Sequence, residues 1–294
     1  MKILLLGKNG QVGWELQRAL APLGKVVALG RSIDEAGLCG DLAALDGLAE
    51  TVRRIAPNVI VNAAAYTAVD KAESEKQTAD LINHQASAVL AREALELDAW
   101  LVHYSTDYVF DGSDPSPRGE DDATGPLNVY GASKLAGEQA IAAAGIDHLI
   151  FRTSWVYGMR GKNFLLTMMR LAKEREELKV VADQHGAPTW SRTIADTTAL
   201  VLAQAQAQTQ AGADWWRQNS GVYHLSAQGQ TTWFEFTQAI VEAAGLSCRV
   251  LPIGSADYPT PARRPQYSVM SSERLVSRFC HLPDWKQALH LCMG

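Results

Sequence analysis

Short apolar runs alternate with stretches of helical periodicity along the first half of the chain. Residues 2–6 predict a buried strand, 7–13 a glycine-rich turn, and 14–23 a helix that ends at Gly24. Four further apolar runs predict strands: 26–29, 59–63, 100–104 and 149–153. Strands that alternate with helices in this way predict an α/β fold with a parallel, doubly wound sheet.

The hydrophobic pattern changes after residue 153, where segments rich in Pro and Gly alternate with predicted helices at 164–177 and 233–244. We assign most of this half to a smaller α/β domain that binds substrate. The sequence therefore predicts two domains with these bounds: 1–157 and 191–215 in the first, 158–190 and 216–294 in the second.

Composition narrows the class of protein. With 294 residues, 47% of them hydrophobic, the chain can bury a large core. Its net charge of -5 argues against a nucleic-acid partner, which would select clustered Lys and Arg. Its four cysteines have neither disulfide-framework nor metal-ligand spacing. Because no apolar run is long enough for a signal peptide or a membrane span, we expect a cytoplasmic protein without membrane contact.

A glycine motif lies between the first strand and the first helix. Gly7, Gly10 and Gly13 form GxxGxxG in the position where glycines let backbone amides approach a pyrophosphate. Gln11 and Val12 would lie at the helix N-terminus, where free amides and the helix dipole favour negative charge. The motif and its position predict a dinucleotide site; a turn that serves only packing is the alternative.

The end of the second strand predicts which dinucleotide binds. An acidic residue that would accept a hydrogen bond from a ribose 2′-hydroxyl is absent, and the strand ends Gly30-Arg31. A cation there favours a 2′-phosphate, so we expect NADPH in preference to NADH. Small or polar residues that follow the second and third predicted strands are further candidates to flank the adenine and the inner ribose, although each also fits a structural role: Asp41, Leu42, Ala63, Ala64 and Ala65.

Three residues form a candidate catalytic group. Tyr130 and Lys134 are four residues apart, on one face of a predicted helix, and Thr106 follows the strand 100–104. A phenol can donate a proton to a carbonyl oxygen as hydride arrives, and a nearby ammonium group would lower the pKa of that phenol. We therefore predict Tyr130 as the acid, Lys134 as its activator and ribose ligand, and Thr106 as a hydrogen-bond donor to the carbonyl.

The chain resembles the extended short-chain dehydrogenases/reductases, and among them the dTDP-4-dehydrorhamnose reductases. The resemblance covers nearly the whole chain and rests on these segments: GKNGQVGWEL, VNAAAYTAVDKAE, HYSTDYVF, PLNVYGASKLAGE, FRTSWVYG, DQHGAPT and YPTPARRPQYS. It implies a Rossmann-type domain with a small substrate domain. The activity it implies is reduction of the 4-keto sugar of dTDP-4-dehydro-β-L-rhamnose to dTDP-L-rhamnose, with NADPH or NADH, a step in carbohydrate and lipopolysaccharide O-antigen biosynthesis.

The resemblance also implies the residues that contact a dTDP-sugar. Asp107, Tyr108 and Trp155 match positions that the family uses near the substrate, and Asn163 matches a position that contacts the nucleotide diphosphate. Trp155 could instead be core packing. Independently, the planar donor forks of Arg263 and Arg264 suit phosphate oxygens, so we predict that at least one of them binds the substrate diphosphate; two solvated surface arginines are the alternative.

Members of this family have been described as homodimers bridged by magnesium through carboxylates. Glu15 matches one of those carboxylates, but Arg192 stands where the other would align. A cation cannot bind magnesium, which takes oxygen ligands. We therefore expect no metal site, while a homodimer is compatible with the resemblance.

Two other functions share this fold. A nucleotide-sugar dehydratase or epimerase would use the same glycine turn and Tyr/Lys pair, but the dehydratase pattern has Asp-Glu after the threonine for loss of water. This chain has Asp107-Tyr108, which favours simple reduction. A non-catalytic NADP-binding regulatory subunit is the other alternative, and the presence of all three candidate catalytic residues argues against it.

Overall fold

The computed structural model describes residues 1–210 and 214–294. Its strands, in chain order, are β1 Lys2–Leu6, β2 Lys25–Leu29, β3 Val59–Asn62, β4 Trp100–Thr106, β5 His148–Thr153, β6 Val156–Tyr157, β7 Glu177–Val181, β8 His185–Gly186, β9 Thr189–Trp190, β10 Gly221–His224, β11 Thr231–Thr232 and β12 Arg249–Ile253. Six of them form a parallel sheet in the order β10-β5-β4-β3-β1-β2. Residues 211–213, within the predicted segment 191–215, lie outside the described part of the chain.

Helices follow most of the strands. They are α1 Gln11–Ala19, α2 Leu45–Ile55, α3 Val69–Ala72, α4 Lys76–Asp80, α5 Ala86–Glu96, α6 Val129–Ala143, α7 Phe164–Glu174, α8 Ser191–Gln210, α9 Trp215–Asn219, α10 Trp233–Ala243, α11 Glu273–Arg278 and α12 Trp285–Met293. A π-helical turn, Leu81–Gln85, joins α4 to α5. None of the helices in 1–210 and 214–294 has the length and apolar character needed to cross a membrane.

Helices cover both faces of the main sheet. Within β1, Ile3 and Leu5 enter one core while Leu4 and Leu6 enter the other, because successive side chains of a strand point to opposite faces. Helices α1 and α8 cover the first core, and α2, α5 and α6 cover the second. The predicted α/β fold with a doubly wound parallel sheet is confirmed.

Several of the later elements pack around a third, aromatic core that contains Tyr157, Phe236 and Trp285. Three two-stranded sheets lie in this part: β6 with β9, β7 with β12, and β8 with β11. One boundary of the predicted division needs correction, since 221–224 pairs with β5 in the main sheet although we assigned 216–294 to the second domain. This strand covers the edge that β5 would otherwise leave open. The rest of the division stays a prediction.

Candidate active site

A cleft of about 820 Å³ opens at the carboxyl ends of β1, β3, β4 and β5, where ligands bind in open α/β sheets. Sixteen residues singled out from the sequence line it: Gly7, Gly10, Gln11, Val12, Arg31, Asp41, Leu42, Ala63, Ala64, Ala65, Thr106, Asp107, Tyr130, Lys134, Trp155 and Asn163. Four others are not among its lining residues: Gly13, Tyr108, Arg263 and Arg264. The cleft therefore brings together the predicted cofactor turn and the predicted catalytic group.

The glycine turn is shaped by close backbone contacts. Gly7 has φ +86°, and a Cβ there would lie 2.7 Å from the carbonyl oxygen of Ala63. Gly10 precedes α1 without a side-chain cap, which leaves the first amides of the helix free for a ligand. Gly13 packs closely on the turn, because a Cβ there would lie 2.1 Å from the carbonyl oxygen of Gly7, and its predicted contact with the cofactor stays a prediction. Its role in this structure is close packing of α1 on the turn.

Gln11 links the glycine turn to the loop before α7. Its side-chain amide donates to the carbonyl oxygen of Val156 at 3.3 Å, and it accepts from Nδ2 of Asn163 at 2.8 Å. The side-chain oxygen of Asn163 also caps α7 by accepting from the amide of Leu166 at 3.0 Å. We predicted that Gln11 acts through its backbone, and the structure adds this side-chain contact between the two parts of the fold.

The residues after β2 lie at one end of the cleft. Gly30 and Gly40 are in close contact, since a Cβ on Gly40 would lie 2.5 Å from the carbonyl oxygen of Gly30. Arg31 is exposed, and within the described residues it forms no ion pair. Asn9, which the sequence analysis missed, lines the same end, and its side-chain amide lies against Gly30. A guanidinium next to a tight backbone contact suits an adenosine ribose with a phosphate on it.

Tyr130 lies in the first turn of α6, where the side chain of Asn128 caps the helix by accepting from the amide of Gly131 at 2.8 Å. Gly131 is required there, because a Cβ would lie 2.2 Å from the carbonyl oxygen of Tyr108. Burial of the phenol raises the pKa of Tyr130 to about 12, and the hydroxyl of Thr106 opposes that rise by hydrogen bonding. The phenol is therefore held protonated, as a proton donor requires.

In the free protein the ammonium group of Lys134 is directed away from the phenol, and its predicted action on Tyr130 stays a prediction. Its Nζ donates to the carbonyl oxygen of Tyr104 at 2.6 Å and lies 3.0 Å from Nε2 of His103. Burial lowers the pKa of Lys134 to about 8, while the charge of Glu138 opposes that change. The lysine is thus directed toward β4, and the net effect of the surroundings on Tyr130 is a raised pKa, in place of the lowered one that we expected.

Trp155 has an unusual backbone. Its φ is +46°, in the left-handed region that bulky residues rarely adopt. Its indole stacks on that of Trp233 at 3.5 Å between ring centroids, and it is half-buried on the wall of the cleft. A Cβ on Gly186 would lie 2.4 Å from this indole. The ring is therefore both packed on one face and available to the cleft.

Known proteins similar to this chain share its whole length. A family profile described as "RmlD substrate binding domain" matches residues 1–294. A dTDP-4-dehydrorhamnose reductase from Burkholderia thailandensis is 55% identical over 302 residues, which span 100% of this chain and 98% of that protein. This chain belongs to the dTDP-4-dehydrorhamnose reductase family. The resemblance drawn from the sequence motifs is confirmed.

Two further members of the family support the same conclusion. The dTDP-4-dehydrorhamnose reductase of Escherichia coli K12 is 50% identical over 293 residues, 97% of this chain and 95% of that protein. The crystal structure of the Bacillus anthracis dTDP-4-dehydrorhamnose reductase in complex with NADP has a TM-score of 0.87 and 35% identity. That match covers 99% of this chain and 98% of the other. The predicted Rossmann-type fold is confirmed.

Asp107 is buried on the cleft wall of this family member. Its carboxylate accepts from the hydroxyl of Thr106 at 3.0 Å and from the hydroxyl of Ser154 at 3.2 Å. Burial raises the pKa of Asp107 to about 6, although these hydrogen bonds oppose the rise. The charged carboxylate therefore costs stability in the folded protein at neutral pH.

Because the buried charge of Asp107 is costly, we predict that Asp107→Asn stabilises the folded protein at neutral and higher pH. The folded pKa of Asp107 is above its unfolded value, so the carboxyl favours folding at low pH and opposes it as pH rises through about 6. Asp107→Asn should raise the free energy of unfolding by roughly 1–3 kcal/mol at pH 8 and by little at pH 4. Urea unfolding of both proteins at the two pH values measures this; an equal difference at both would refute the buried charge. The exposed substitution Glu96→Gln should show no such dependence.

The two adjacent arginines differ in environment. Arg264 forms an ion pair with Asp70 at 2.8 Å and contacts the phenol of Tyr108, whose ring meets that of Tyr130 edge-on at 5.8 Å. Arg263 is exposed, and its carbonyl oxygen accepts from Nδ2 of Asn128 at 2.8 Å. Only Arg264 is therefore connected through its side chain to the catalytic group.

Several cleft residues escaped the sequence analysis. Lys162 and Gly161 precede Asn163, and Thr67 and Ile82 come from the segment after β3. Ser105 lies beside Thr106, and its buried hydroxyl has no hydrogen-bond partner within the described residues. Ser105 and Lys162 could have been predicted from the sequence, because each is adjacent to a residue that we had singled out. The positions of the remaining cleft residues depend on how the loops fold.

The structure leaves the metal prediction open. Arg192 lies in the first turn of α8 and pairs with Asp196 at 3.4 Å between Nε and the carboxylate. Across 1–210 and 214–294, no group of three His, Cys, Asp or Glu side chains is arranged to hold a metal ion. The absence of a bridging magnesium stays a prediction.

Proposed function

We propose that this chain reduces the 4-keto group of dTDP-4-dehydro-β-L-rhamnose to dTDP-L-rhamnose, with hydride from NADPH and a proton from Tyr130. The observation that carries the proposal is that Thr106, Tyr130 and Lys134 line the same cleft as the glycine turn. The reductase names of the relatives, and the NADP in the Bacillus anthracis structure, support the same substrate class and cofactor.

The cleft fits a dinucleotide. The uncapped N-terminus of α1 offers free amides to a pyrophosphate, and the backbone of Gly7 and Gly30 lines the cleft beside it. Arg31 offers a guanidinium to a ribose 2′-phosphate. When bound, the reduced nicotinamide supplies the hydride. Use of NADPH in preference to NADH belongs to the proposal, because it depends on Arg31.

The residues of the chain then provide the proton and orient the carbonyl. Tyr130, held protonated by its raised pKa, donates its proton to the carbonyl oxygen of the sugar. The hydroxyl of Thr106 lies beside this phenol, and rotation away from Asp107, to which it donates in the free protein, lets it donate to the same oxygen. The positive charge of Lys134 favours the phenolate that remains after transfer. Trp155 forms a wall on which the sugar ring can pack.

The decisive experiment is an NADPH oxidation assay with enzymatically generated dTDP-4-dehydrorhamnose. We expect oxidation with this keto sugar and none with dTDP-glucose, which has no keto group to reduce. Binding of NADPH without oxidation would instead indicate the regulatory-subunit alternative. Loss of water from a dTDP-hexose would indicate the dehydratase alternative.

Arg264 and Arg263 form a matched pair of test positions. We predict that Arg264→Ala raises KM for the dTDP-sugar by about ten-fold or more, because a charge-assisted hydrogen bond to phosphate is worth ~1.5–3 kcal/mol. KM for NADPH should change much less. Arg263→Ala, which removes an exposed side chain, is the control and should leave both values nearly unchanged. Two results would reject Arg264 as the diphosphate ligand. One is an equal rise of KM for the dTDP-sugar in Arg264→Ala and Arg263→Ala, and the other is an equal rise of KM for the dTDP-sugar and for NADPH in Arg264→Ala.

Two features of the proposal concern the protein in the cell. A homodimer with no bridging metal is compatible with the proposal. A cytoplasmic location remains an expectation. Size-exclusion chromatography with light scattering, with and without a chelator, would establish the assembly and its dependence on metal.

A further inference from the structure

A buried chain of hydrogen bonds lies behind Lys134. Nζ of Lys134 lies 3.0 Å from Nε2 of His103, and Nδ1 of His103 lies 3.2 Å from Nδ2 of Asn62. Each of these three side chains belongs to a residue that is only 1% exposed. Asn62 and His103 are direct neighbours across β3 and β4, so the parallel sheet fixes their register.

The far end of the chain has a fixed polarity. The backbone amide of Ala64 donates to Oδ1 of Asn62 at 3.2 Å, and a backbone amide can only donate. Asn62 therefore presents its NH₂ group, also a donor, to His103. A neutral histidine has one donor and one acceptor nitrogen, so Nδ1 accepts and Nε2 carries the hydrogen. That hydrogen points at Lys134.

We propose that Asn62 and His103 are positioning residues that set the protonation state of Lys134, because their chain of hydrogen bonds closes completely only on the neutral amine. A neutral lysine amine has a lone pair that accepts from Nε2–H of His103, and it still donates to the carbonyl oxygen of Tyr104. A charged ammonium has three donors and no acceptor. With the ammonium, donors occupy both ends of the chain, and one contact within it must be lost.

This conclusion holds for either orientation of the Asn62 amide. If the amide is reversed, its oxygen accepts from Nδ1–H of His103, and Nε2 then accepts from the ammonium. The NH₂ group of Asn62 would then face the amide of Ala64, donor against donor. The mismatch has only moved to the other end, and an unmade hydrogen bond in this buried site is costly.

The charges around Lys134 agree with this direction. Burial and the charge of Lys134 hold the pKa of His103 well below its usual range, so the ring is neutral. Burial also lowers the pKa of Lys134, and the charge of Glu138, one turn along α6, opposes that change. Glu138 is itself paired with Arg152 at 2.7 Å. The ionisable groups that act on Lys134 are His103 on β4, by direct contact, and Glu138 on its own helix, by charge. Tyr130 lies one turn before Lys134 on the same helix, and Arg152 on β5 is paired with Glu138.

The hydrogen bonds between Asn62, His103 and Lys134 affect the proposed reaction. This part of the inference rests on the proposed function. Lys134 favours the phenolate of Tyr130 only when it is charged. Because the hydrogen bonds from Asn62 and His103 stabilise the neutral amine, the ammonium and the amine of Lys134 are close in free energy near neutral pH. Activity should therefore fall at alkaline pH, where Lys134 becomes neutral.

Asn62→Asp reverses the polarity of the chain with little change of shape. A carboxylate accepts from Ala64 with one oxygen and from Nδ1–H of His103 with the other. Nε2 of His103 then accepts from the ammonium, and all contacts close on charged Lys134. We expect the alkaline limb of the kcat profile to move upward by ~1–3 pH units in this variant.

Nuclear magnetic resonance of the full-length protein, labelled with ¹⁵N at histidine, tests these hydrogen bonds without substrate. His103→Gln identifies the His103 signals among the seven histidines. In the wild type we expect Nε2–H at alkaline pH and a change of tautomer as Lys134 gains its proton. In Asn62→Asp we expect Nδ1–H throughout. His148→Gln, which removes a histidine at the opposite end of β5, is the control and should alter neither titration.

Two results would overturn the inference. One is a wild-type His103 that carries its hydrogen on Nδ1 at all pH values, and the other is a His103 titration that is the same in Asn62→Asp as in the wild type. Should Asn62→Asp not fold, the wild-type titration alone decides. The tautomer measurement is independent of the proposed reduction. If the protein shows the change of tautomer but does not oxidise NADPH, the proposed function is refuted and this inference still holds.

Discussion

Tyr130→Phe should lower kcat by ~10²–10⁴-fold while it leaves NADPH binding intact. The substitution removes the hydroxyl that donates the proton but keeps the ring, which packs edge-on against Tyr108 at 5.8 Å between centroids. Because the proton transfer belongs to the transition state, the loss should appear in kcat far more than in KM. Steady-state kinetics with the keto sugar, together with NADPH titration by fluorescence, measures both quantities.

A second tyrosine supplies the control. Tyr157 is fully buried in the aromatic core, and its hydroxyl has no hydrogen-bond partner among the described residues. Tyr157→Phe removes the same atom from a residue that does not line the cleft and should leave kcat nearly unchanged. If Tyr130→Phe retained more than about a tenth of the wild-type kcat, the phenol would not be the proton donor.

For Arg31→Ala we expect loss of most of the preference for NADPH over NADH. A charge-assisted hydrogen bond is worth ~1.5–3 kcal/mol, so wild-type kcat/KM should favour NADPH by about ten- to a hundred-fold. The guanidinium gains little from the bare hydroxyl of NADH. Measurement of kcat/KM for both cofactors, at one ionic strength because salt screens exposed phosphate contacts, gives the ratio for each variant.

Lys8 is the matched comparison for Arg31. The end of its side chain approaches Gly30, with Cε 3.6 Å from the position of a Cβ there, so it is a second cation near this end of the cleft. If Lys8→Ala, and not Arg31→Ala, abolished the preference, Lys8 would be the ligand of the 2′-phosphate. Equal use of NADH and NADPH by the wild type would remove the basis for both assignments.

The main sheet and the glycine turn were predictable because their signals are local. The apolar run 2–6, followed at once by glycines, identifies a buried strand and its turn without reference to the rest of the chain. The strand 221–224 gave a weaker signal, since a run of four residues does not reveal which edge it will cover. Its place in the main sheet follows from the whole fold.

The chemistry of individual residues was less predictable than their place in the site. The spacing of Tyr130 and Lys134 indicates a shared helix face, and both line the cleft. The sequence could not show that Lys134 turns to His103 and the carbonyl of Tyr104, because those partners lie on another element. In the same way, the adjacent Arg263 and Arg264 are equivalent in the sequence, and only the ion pair with Asp70 separates them.

The contact between Trp155 and Gly186 constrains which residues these two positions can accept. The indole occupies the space that any side chain at position 186 would need. Position 186 can therefore accept a larger residue only after Trp155 has been replaced by a smaller one. A smaller residue at 155 alone would leave Trp233 without its stacking partner. A larger residue at position 186 and a smaller one at position 155 are therefore expected to occur together, although the two positions are far apart in the sequence.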